Sequence, residues 1–376
     1  MTDDERTVLI SGAGIAGATL AYWLAEYGFR PTVVEREPRL RTGGNPIDVR
    51  GGAVAVAGRM GVLPRIREAR VRTEGLWFVN AAGERVAGMD LRGSADAPDD
   101  DEVELARGDL AEILHRASAA RTEYLFGDAI RSVREDPDGV TVTLERGGDR
   151  RFGLVVGADG LHSAVRRPAF GEEGRFVHHL GYYAAAAPLT DDHGVADHWG
   201  AVYNEPGRMV GVSRTVPDRP AQALFAFRQV RPLDYDHRDV AEQKRLLAEA
   251  LAGMSWRTPL ILEQALQAED FYFDAVSQVR MPGWTRGRFA LVGDAGYCPA
   301  LLSGAGTTLA MTGAYTLAGA LRESGGDHRA AFARYEAEHR AVVADGQSKA
   351  AEYAAELIPG SREAIDRRDA LVGLPS

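Results

Sequence analysis

Residues 11–36 read SGAGIAGATLAYWLAEYGFRPTVVER, and the glycines at 12, 14 and 17 limit the possible fold more than any other stretch of the chain. Residues 8–10 form a short apolar strand. Residues 18–27 read as a helix stopped by Gly28, which suits the position just past a helix end. Residues 31–35, PTVVE, are a second apolar strand. Strand, glycine turn, helix and strand within about thirty residues make a βαβ unit, whose two strands must be parallel. Gly12 permits the tight turn, Gly14 lets the backbone approach a pyrophosphate, and Gly17 lets helix and strand pack closely. Ala16 completes the loop, and the pyrophosphate rests on the helix N-terminus. Glu35 closes the second strand, where its carboxylate can accept hydrogen bonds from the ribose of an adenosine half. The same charge repels a 2′-phosphate, so NADP is not expected as the tightly held nucleotide. NAD and FAD remain equally open, and a close-packed βαβ unit without ligand would carry the same glycines.

The chain has 376 residues, more than one ordinary core holds, so two domains are expected. Its 44 Lys and Arg against 54 Asp and Glu give a net charge of −10, which argues against nucleic acid, whose phosphates require a basic face. The single cysteine, Cys298, excludes an internal disulfide and a cysteine-cluster metal site. A reducing, cytoplasmic setting is the expectation. The uncharged run 7–25 is as long as a membrane span, but it carries the glycine turn and follows the acidic residues 3–5, so no membrane segment or signal peptide is expected.

Two further motifs follow. VVGADGLHSAVRR, residues 155–167, runs a buried strand into Asp159 and Gly160 and then a helix start near Ser163. A carboxylate at the carboxyl end of a parallel strand lies where such sheets bind ligands, although Asp159 could equally cap the next helix. FALVGDAGYCPALLSGAGTTLAMTGAYTLAGAL, residues 289–321, ends a strand at Gly293 and Asp294 and passes Pro299 and the turn Gly304, Ala305, Gly306 into a helix near Thr307. Asp294 is placed to bind polyol hydroxyls such as a ribityl chain. The bare amides at that helix start favour an anion, as a reduced flavin is around N1. An NAD enzyme has no use for this third element, so FAD is the better match. Between the motifs, residues 93–102 read as an exposed loop, 125–152 as a β-meander, and 175–270 as short strands with one helix. After 325 the chain is helical, with Phe332, Tyr335 and Val342 on one face.

The ordered trio of GxGxxG with Glu35, GADG with Ser163 and Arg166, and GDA with a later Pro and glycine turn resembles the single-component FAD-dependent aromatic monooxygenases, the p-hydroxybenzoate hydroxylase-like family. GGNPIDVRG, DDDEVELARGDLAEIL, DFYFDAVSQVRMPGW and GDAGYCPALLSGAGTTLA are closest to its tetracycline destructase branch. The resemblance implies an α/β fold: a split Rossmann-like FAD-binding domain, an inserted β-sheet substrate domain and C-terminal helices. The expected division is 1–174 for the first FAD-binding part, with some substrate strands within 70–103, then 175–270 for the substrate domain, 271–325 for the second FAD-binding part, and 326–376 for the helical end. It also implies that Arg107 contacts the flavin's phosphate or ribityl region, that Arg36 lies over the adenosine, that Asp48 sits at the flavin, and that Arg41 helps receive a transient NADPH or NADH. Pro299, Gly304 and Gly306 would border the flavin. This chain departs from many relatives at Ala305, at Thr307 and Thr308, and at Gly313 and Ala314.

The activity implied is hydroxylation of a small aromatic or polyketide-like molecule by NAD(P)H and O2 through a flavin C4a-hydroperoxide, with tetracycline inactivation as one form of it. The flavin carries the chemistry, so no catalytic side chain and no metal is expected. His178 and His179 are adjacent, which is poor spacing for joint ligation, and His115 reads as structural. Phe225, Phe227, Phe271, Tyr272 and Phe273 could line the pocket, although taken one by one they read better as ordinary sheet core. The C-terminal helices could cap that pocket or join two copies, so monomer and homodimer both stand. A flavin oxidase or dehydrogenase, and a flavoprotein that only sequesters a drug-like ligand, remain as alternatives.

Overall fold

A computed structural model describes residues 6–40, 46–71, 73–90, 102–216, 219–325 and 327–374. Arg41 and nearly all of the loop expected at 93–102 lie outside the described residues. Its central sheet has six strands in the order 285–286, 289–291, 154–157, 7–11, 30–35 and 123–126. All but the first edge strand are parallel. Parallel strands are covered on both faces, and their residues are accordingly apolar throughout: Val8, Leu9, Ile10, Val155, Val156, Ala290 and Leu291 are fully buried. The helix Ile15–Glu26 lies on this sheet, with Gly28 beyond its end. The meander expected around 125–152 is a three-stranded antiparallel sheet of 130–136, 139–144 and 148–152, whereas 123–126 joins the central sheet.

A second, seven-stranded sheet has the order 272–279, 177–188, 222–228, 208–213, 199–205, 75–79 and 85–90. Its last two strands come from the 70–103 stretch. The strand Tyr272–Val279, which lies in the stretch assigned by sequence to the second cofactor part, pairs with Val177–Pro188. The apolar run DFYFDAV reads as either kind of strand, so the boundary could not be placed by pattern alone. Side chains of a strand alternate between faces. One face of this sheet carries Tyr183, Phe225, Phe227 and Phe273, buried beneath the helices Val240–Ala250 and Thr258–Gln267. Those phenylalanines are thus core under helices rather than pocket lining. The opposite, inner face carries Phe78, Val202, Met209 and Ala226, packed on Ile358, Leu357 and Val372 of the C-terminal helices and on Leu302. Tyr272 belongs to this inner face because it alternates with Phe273.

The helices Gly306–Glu323 and His328–Ser348 pack together beside the central sheet. On the second, Phe332, Tyr335, His339 and Val343 are buried, while Val342 is exposed. The face runs by steps of three and four residues, and the step of seven from 335 to 342 falls one position short of the buried Val343. Gly313 departs from the family pattern for a steric reason. A Cβ there would lie 1.9 Å from the Tyr297 hydroxyl and 2.9 Å from His339 Nε2, so the buried Tyr297 occupies the space that a side chain at 313 would need.

Candidate active site

The three motifs end three adjacent parallel strands. Ser11 pairs with Gly157 and Gly157 with Leu291, so the glycine turn, Asp159 and Asp294 emerge side by side. The loops touch: Ser11 Oγ donates to Asp159 at 2.9 Å, and a Cβ on Gly293 would lie 3.0 Å from that of Ala16. Gly12 has φ +101°, and a Cβ there would meet the Ala158 carbonyl oxygen at 2.6 Å. A Cβ on Gly17 would lie 1.9 Å from the Gly12 carbonyl oxygen. Gly14 differs from both, because a Cβ there meets nothing within 4 Å. The helix that follows has no side-chain cap and no acid in its first turn, so its amides face open space. Glu35 accepts from Ala13 N at 2.9 Å and from Glu37 N at 3.0 Å, which ties the end of the second strand to the glycine turn. Arg36 is exposed and pairs with Glu37 at 3.7 Å.

Asp159 caps. Its carboxylate accepts from Ser11 and Ser163 hydroxyls and from the amides of Ala164 and Val165, which uses its lone pairs inside the protein. Burial raises its carboxyl above the ordinary range, and the two serines oppose this. Of the two roles open to it from sequence, these bonds support capping.

Asp294 is different. Its side chain is exposed, although neighbouring protein partly desolvates the carboxyl. Burial raises its carboxyl and the positive charge of Arg107 opposes the rise. Tyr272 has the same character: it is 37% exposed, yet its hydroxyl is pushed well up by desolvation within reach of Asp274, Cys298, Arg107 and Asp294. Arg107 opens the helix Arg107–Ser118, directly after the strand Glu102–Ala106. That strand pairs with Pro46–Arg50, which sets Asp48 opposite Glu104. Val49 and Leu105 face the core, so the two acids face away from it. Burial raises both carboxyls, with Glu102 adding to the effect on Asp48, and Thr73 donates to Glu104 at 2.7 Å. Arg50 crosses to the third motif, donating to the Gly304 carbonyl at 3.0 Å, and its own carbonyl accepts from Thr308 at 3.2 Å. Gly304 has φ +64° and leads into the uncapped helix start at Gly306, where again a Cβ meets nothing within 4 Å. A Cβ on Gly293, next to Asp294, would lie 3.0 Å from Ala16 and 3.7 Å from Ala310 of the two open-ended helices, and Arg107 and Tyr272 are near enough to act on Asp294 electrostatically.

The FAD binding domain family matches residues 5–349 of the chain. The sequence is 40% identical over 336 residues to a flavin-dependent monooxygenase of Legionella longbeachae, covering 89% of this chain and 85% of that one. The chain belongs to the FAD-binding domain family of flavin-dependent monooxygenases. The crystal structure of tetracycline destructase Tet(55) is similar with a TM-score of 0.86 and 37% identity, over 99% of this chain and 96% of that one. That of tetracycline destructase Tet(51) is similar with a TM-score of 0.87 and 32% identity, over 98% and 99%. The flavoprotein's own residues fit the cofactor: the space left open at Gly14 and Gly306 has no protein atom to fill it, and the amides around it are uncapped.

One cluster escaped the motif reading. His162 Nδ1 lies 2.9 Å from Glu173 and its Nε2 3.3 Å from Asp274 on the second sheet. Its ring stacks on His237 at 4.2 Å, and the buried Arg166 donates to the other Glu173 oxygen at 3.0 Å. Burial alone would lower the imidazole, but the two carboxylates override it and hold His162 at about 9. An imidazole raised from 6.5 stabilises the fold fully below that value, and the contribution fades as pH climbs to about 9. It amounts to at most about 3 kcal/mol, less some solvent screening. We therefore expect the melting temperature to fall by roughly 5 °C more across this window in the wild type than in His162→Gln. Parallel curves for the two proteins would show that His162 carries no such charge. Among the described residues no group of three or more His, Cys, Asp or Glu side chains is arranged to hold a metal, and no helix is long and apolar enough to cross a membrane.

Proposed function

We propose that this flavoprotein uses NAD(P)H and O2 to hydroxylate an electron-rich aromatic or polyketide-like molecule, tetracyclines being the first class to test. The observation that carries this reading is the pair of open helix starts at Gly14 and Gly306 beside Asp294, with Arg107 and Tyr272 close enough to act on it electrostatically. The likeness of nearly the whole chain to tetracycline destructases supports the substrate class. In this reading the amides after Gly14 hold the pyrophosphate and Glu35 the adenosine ribose, with Arg36 over the adenine side. Asp294 accepts from the ribityl hydroxyls, and Arg107 balances the phosphate or the polyol. The amides beginning at Gly306 face the pyrimidine edge of the flavin, where negative charge gathers on reduction. Gly304 and Pro299 shape that edge, Asp48 borders it, and Arg41 receives the nicotinamide nucleotide. When bound, FAD supplies the redox chemistry, taking reducing equivalents from NAD(P)H and activating dioxygen for transfer of one oxygen atom. The chain's part is to orient the substrate and exclude water, and Tyr272, beside Asp294, is the residue of the second sheet placed to do so.

The test is turnover of the FAD-loaded protein with NADPH or NADH, a panel of phenols and tetracyclines, and isotopically labelled dioxygen. Label in the product is the expected result. Peroxide without product label would make the protein an oxidase, and tight ligand binding without cosubstrate consumption would make it a sequestering protein.

A further inference from the structure

Two elements far apart in the chain meet on residues 297–300, which run from the end of the helix Asp294–Tyr297 to the turn Leu301–Ser303. Gln347, at the end of the helix His328–Ser348, donates through Nε2 to the carbonyls of Val279 at 2.8 Å, Cys298 at 3.1 Å and Tyr297 at 3.3 Å. Gln278, on the strand Tyr272–Val279 and only 1% exposed, donates to the Pro299 carbonyl at 3.2 Å and to that of Gln347 at 2.8 Å. Its Oε1 accepts from Arg280 Nε at 2.9 Å and Nη2 at 2.6 Å. Three consecutive carbonyls, 297 to 299, are therefore satisfied by two glutamine amides. Both Gln278 donor hydrogens are spent in this way, and both on Gln347 are shared among three acceptors.

The next residue, Ala300, has φ +85° and ψ 148°, a region that only glycine enters freely. Such strain persists only where the surroundings over-determine the backbone. The path continues from there. The Ala300 carbonyl accepts from Ser303 N at 3.1 Å and from Ser303 Oγ at 2.8 Å, and Ser303 Oγ accepts from Ala305 N at 3.2 Å. Ala305 is the residue just before the open helix start at Gly306. Hydrogen bonds and the peptide links 299–300 and 305–306 thus connect the two glutamines to the open helix start at Gly306.

We propose that Gln347 and Gln278 are positioning residues for the flavin: together they clamp residues 297–299, hold Ala300 in its strained conformation, and so fix where the helix beginning at Gly306 presents its amides. The inference rests on FAD lying against that helix start. It makes the helix His328–Ser348 and the second sheet joint determinants of the cofactor's environment, because one amide from each holds adjacent peptides of the same loop.

Gln347→Met keeps the length of the side chain and removes its donors. In the full-length protein it is expected to weaken FAD binding about tenfold. The flavin midpoint potential should also become more negative, because misplaced amides cost the reduced, anionic form most. Each tenfold of preference lost for the reduced form reads as about 30 mV. Combining Gln347→Met with Ala300→Gly should lose less melting temperature than Gln347→Met loses alone, since the strained residue no longer needs holding. Gln278→Met, expected to act in the same direction, serves if Gln347→Met does not fold. A lowered melting temperature with unchanged FAD affinity and potential would overturn the inference and leave the glutamines as packing. Wild-type protein without affinity for FAD would instead overturn the placement of the cofactor itself.

Discussion

Gly17→Ala is expected to yield little folded protein, while Gly14→Val, three residues earlier in the same turn, is expected to fold and fail to hold FAD. The two glycines answer different requirements. A Cβ on Gly17 lies 1.9 Å from the Gly12 carbonyl oxygen, and that atom belongs to a backbone with no freedom to retreat. Gly12 is fixed by its amide's bond to the Val34 carbonyl at 2.8 Å and by its own approach to Ala158 on the other side. Only separation of helix from strand relieves the overlap, and this breaks the core around Ile10 and Leu20. A cost of at least about 4 kcal/mol is expected, a large part of the stability of an ordinary domain. Gly14 has ordinary extended dihedrals and an empty side, so the FAD-free Gly14→Val protein should melt within about 0.5 kcal/mol of wild type. Its isopropyl group would occupy the space above the helix amides, and FAD affinity should fall more than about a hundredfold. Soluble yield and melting curves read the first effect, and flavin titration reads the second. A Gly14→Val protein that retains FAD with wild-type affinity would place the pyrophosphate elsewhere.

What could be read from the sequence was whatever local spacing encodes. The glycine turn, the strand ends at Asp159 and Asp294 and the apolar parallel strands each depend on residues within a few positions of one another. Their convergence followed from one topological rule, that neighbouring parallel strands end on the same side of the sheet. Faces were harder to read. The aromatics 271–273 and Phe225 could be read as sheet core or as pocket lining, and alternation sends Phe273 beneath the outer helices and Tyr272 to the opposite face. Without the identity of the neighbouring strands, the pattern gives two faces and does not say which one is inside. Arg107 could be singled out only by resemblance. Its nearness to Asp294 is made by a two-stranded pairing of segments more than fifty residues apart. Gln278, Gln347 and His162 carried no signal, because a buried amide or imidazole is recognisable only once its distant partners are known. The alternation of Asp48 with Val49, and of Glu104 with Leu105, could have pointed to the acid pair, since like charges set opposite each other across a strand pair are costly and call for a reason.

Asp294→Asn and Asp294→Ala are expected to move stability and cofactor binding in opposite directions. In the FAD-free protein, burial raises the Asp294 carboxyl and Arg107 only partly offsets it. A carboxyl raised in the folded state costs nothing below its ordinary value of 3.8, and costs progressively more as pH climbs from there to its raised value. At pH above the carboxyl's ordinary value, Asp294→Asn should therefore raise the melting temperature of the FAD-free protein, and this gain should vanish in acid. In the proposed placement of FAD the same carboxylate would accept hydrogen bonds from the polyol, and charged acceptors contribute about 1.5–3 kcal/mol each. Asp294→Ala should therefore weaken FAD binding about ten- to a hundredfold, with Asp294→Asn between it and wild type. Arg107→Leu should act through the same group. Without the guanidinium the carboxyl rises further, and FAD retention should fail at a higher pH on acidification than in wild type. The competing explanation is that Asp294 serves only the first turn of the helix Asp294–Tyr297, where an acid favours the amide end. In that case the substitutions lower the melting temperature and leave flavin affinity alone. Measuring both quantities on the same variants separates the two accounts, because a group placed to bind a ligand is less stable when the ligand is absent, and a group placed to cap a helix is not.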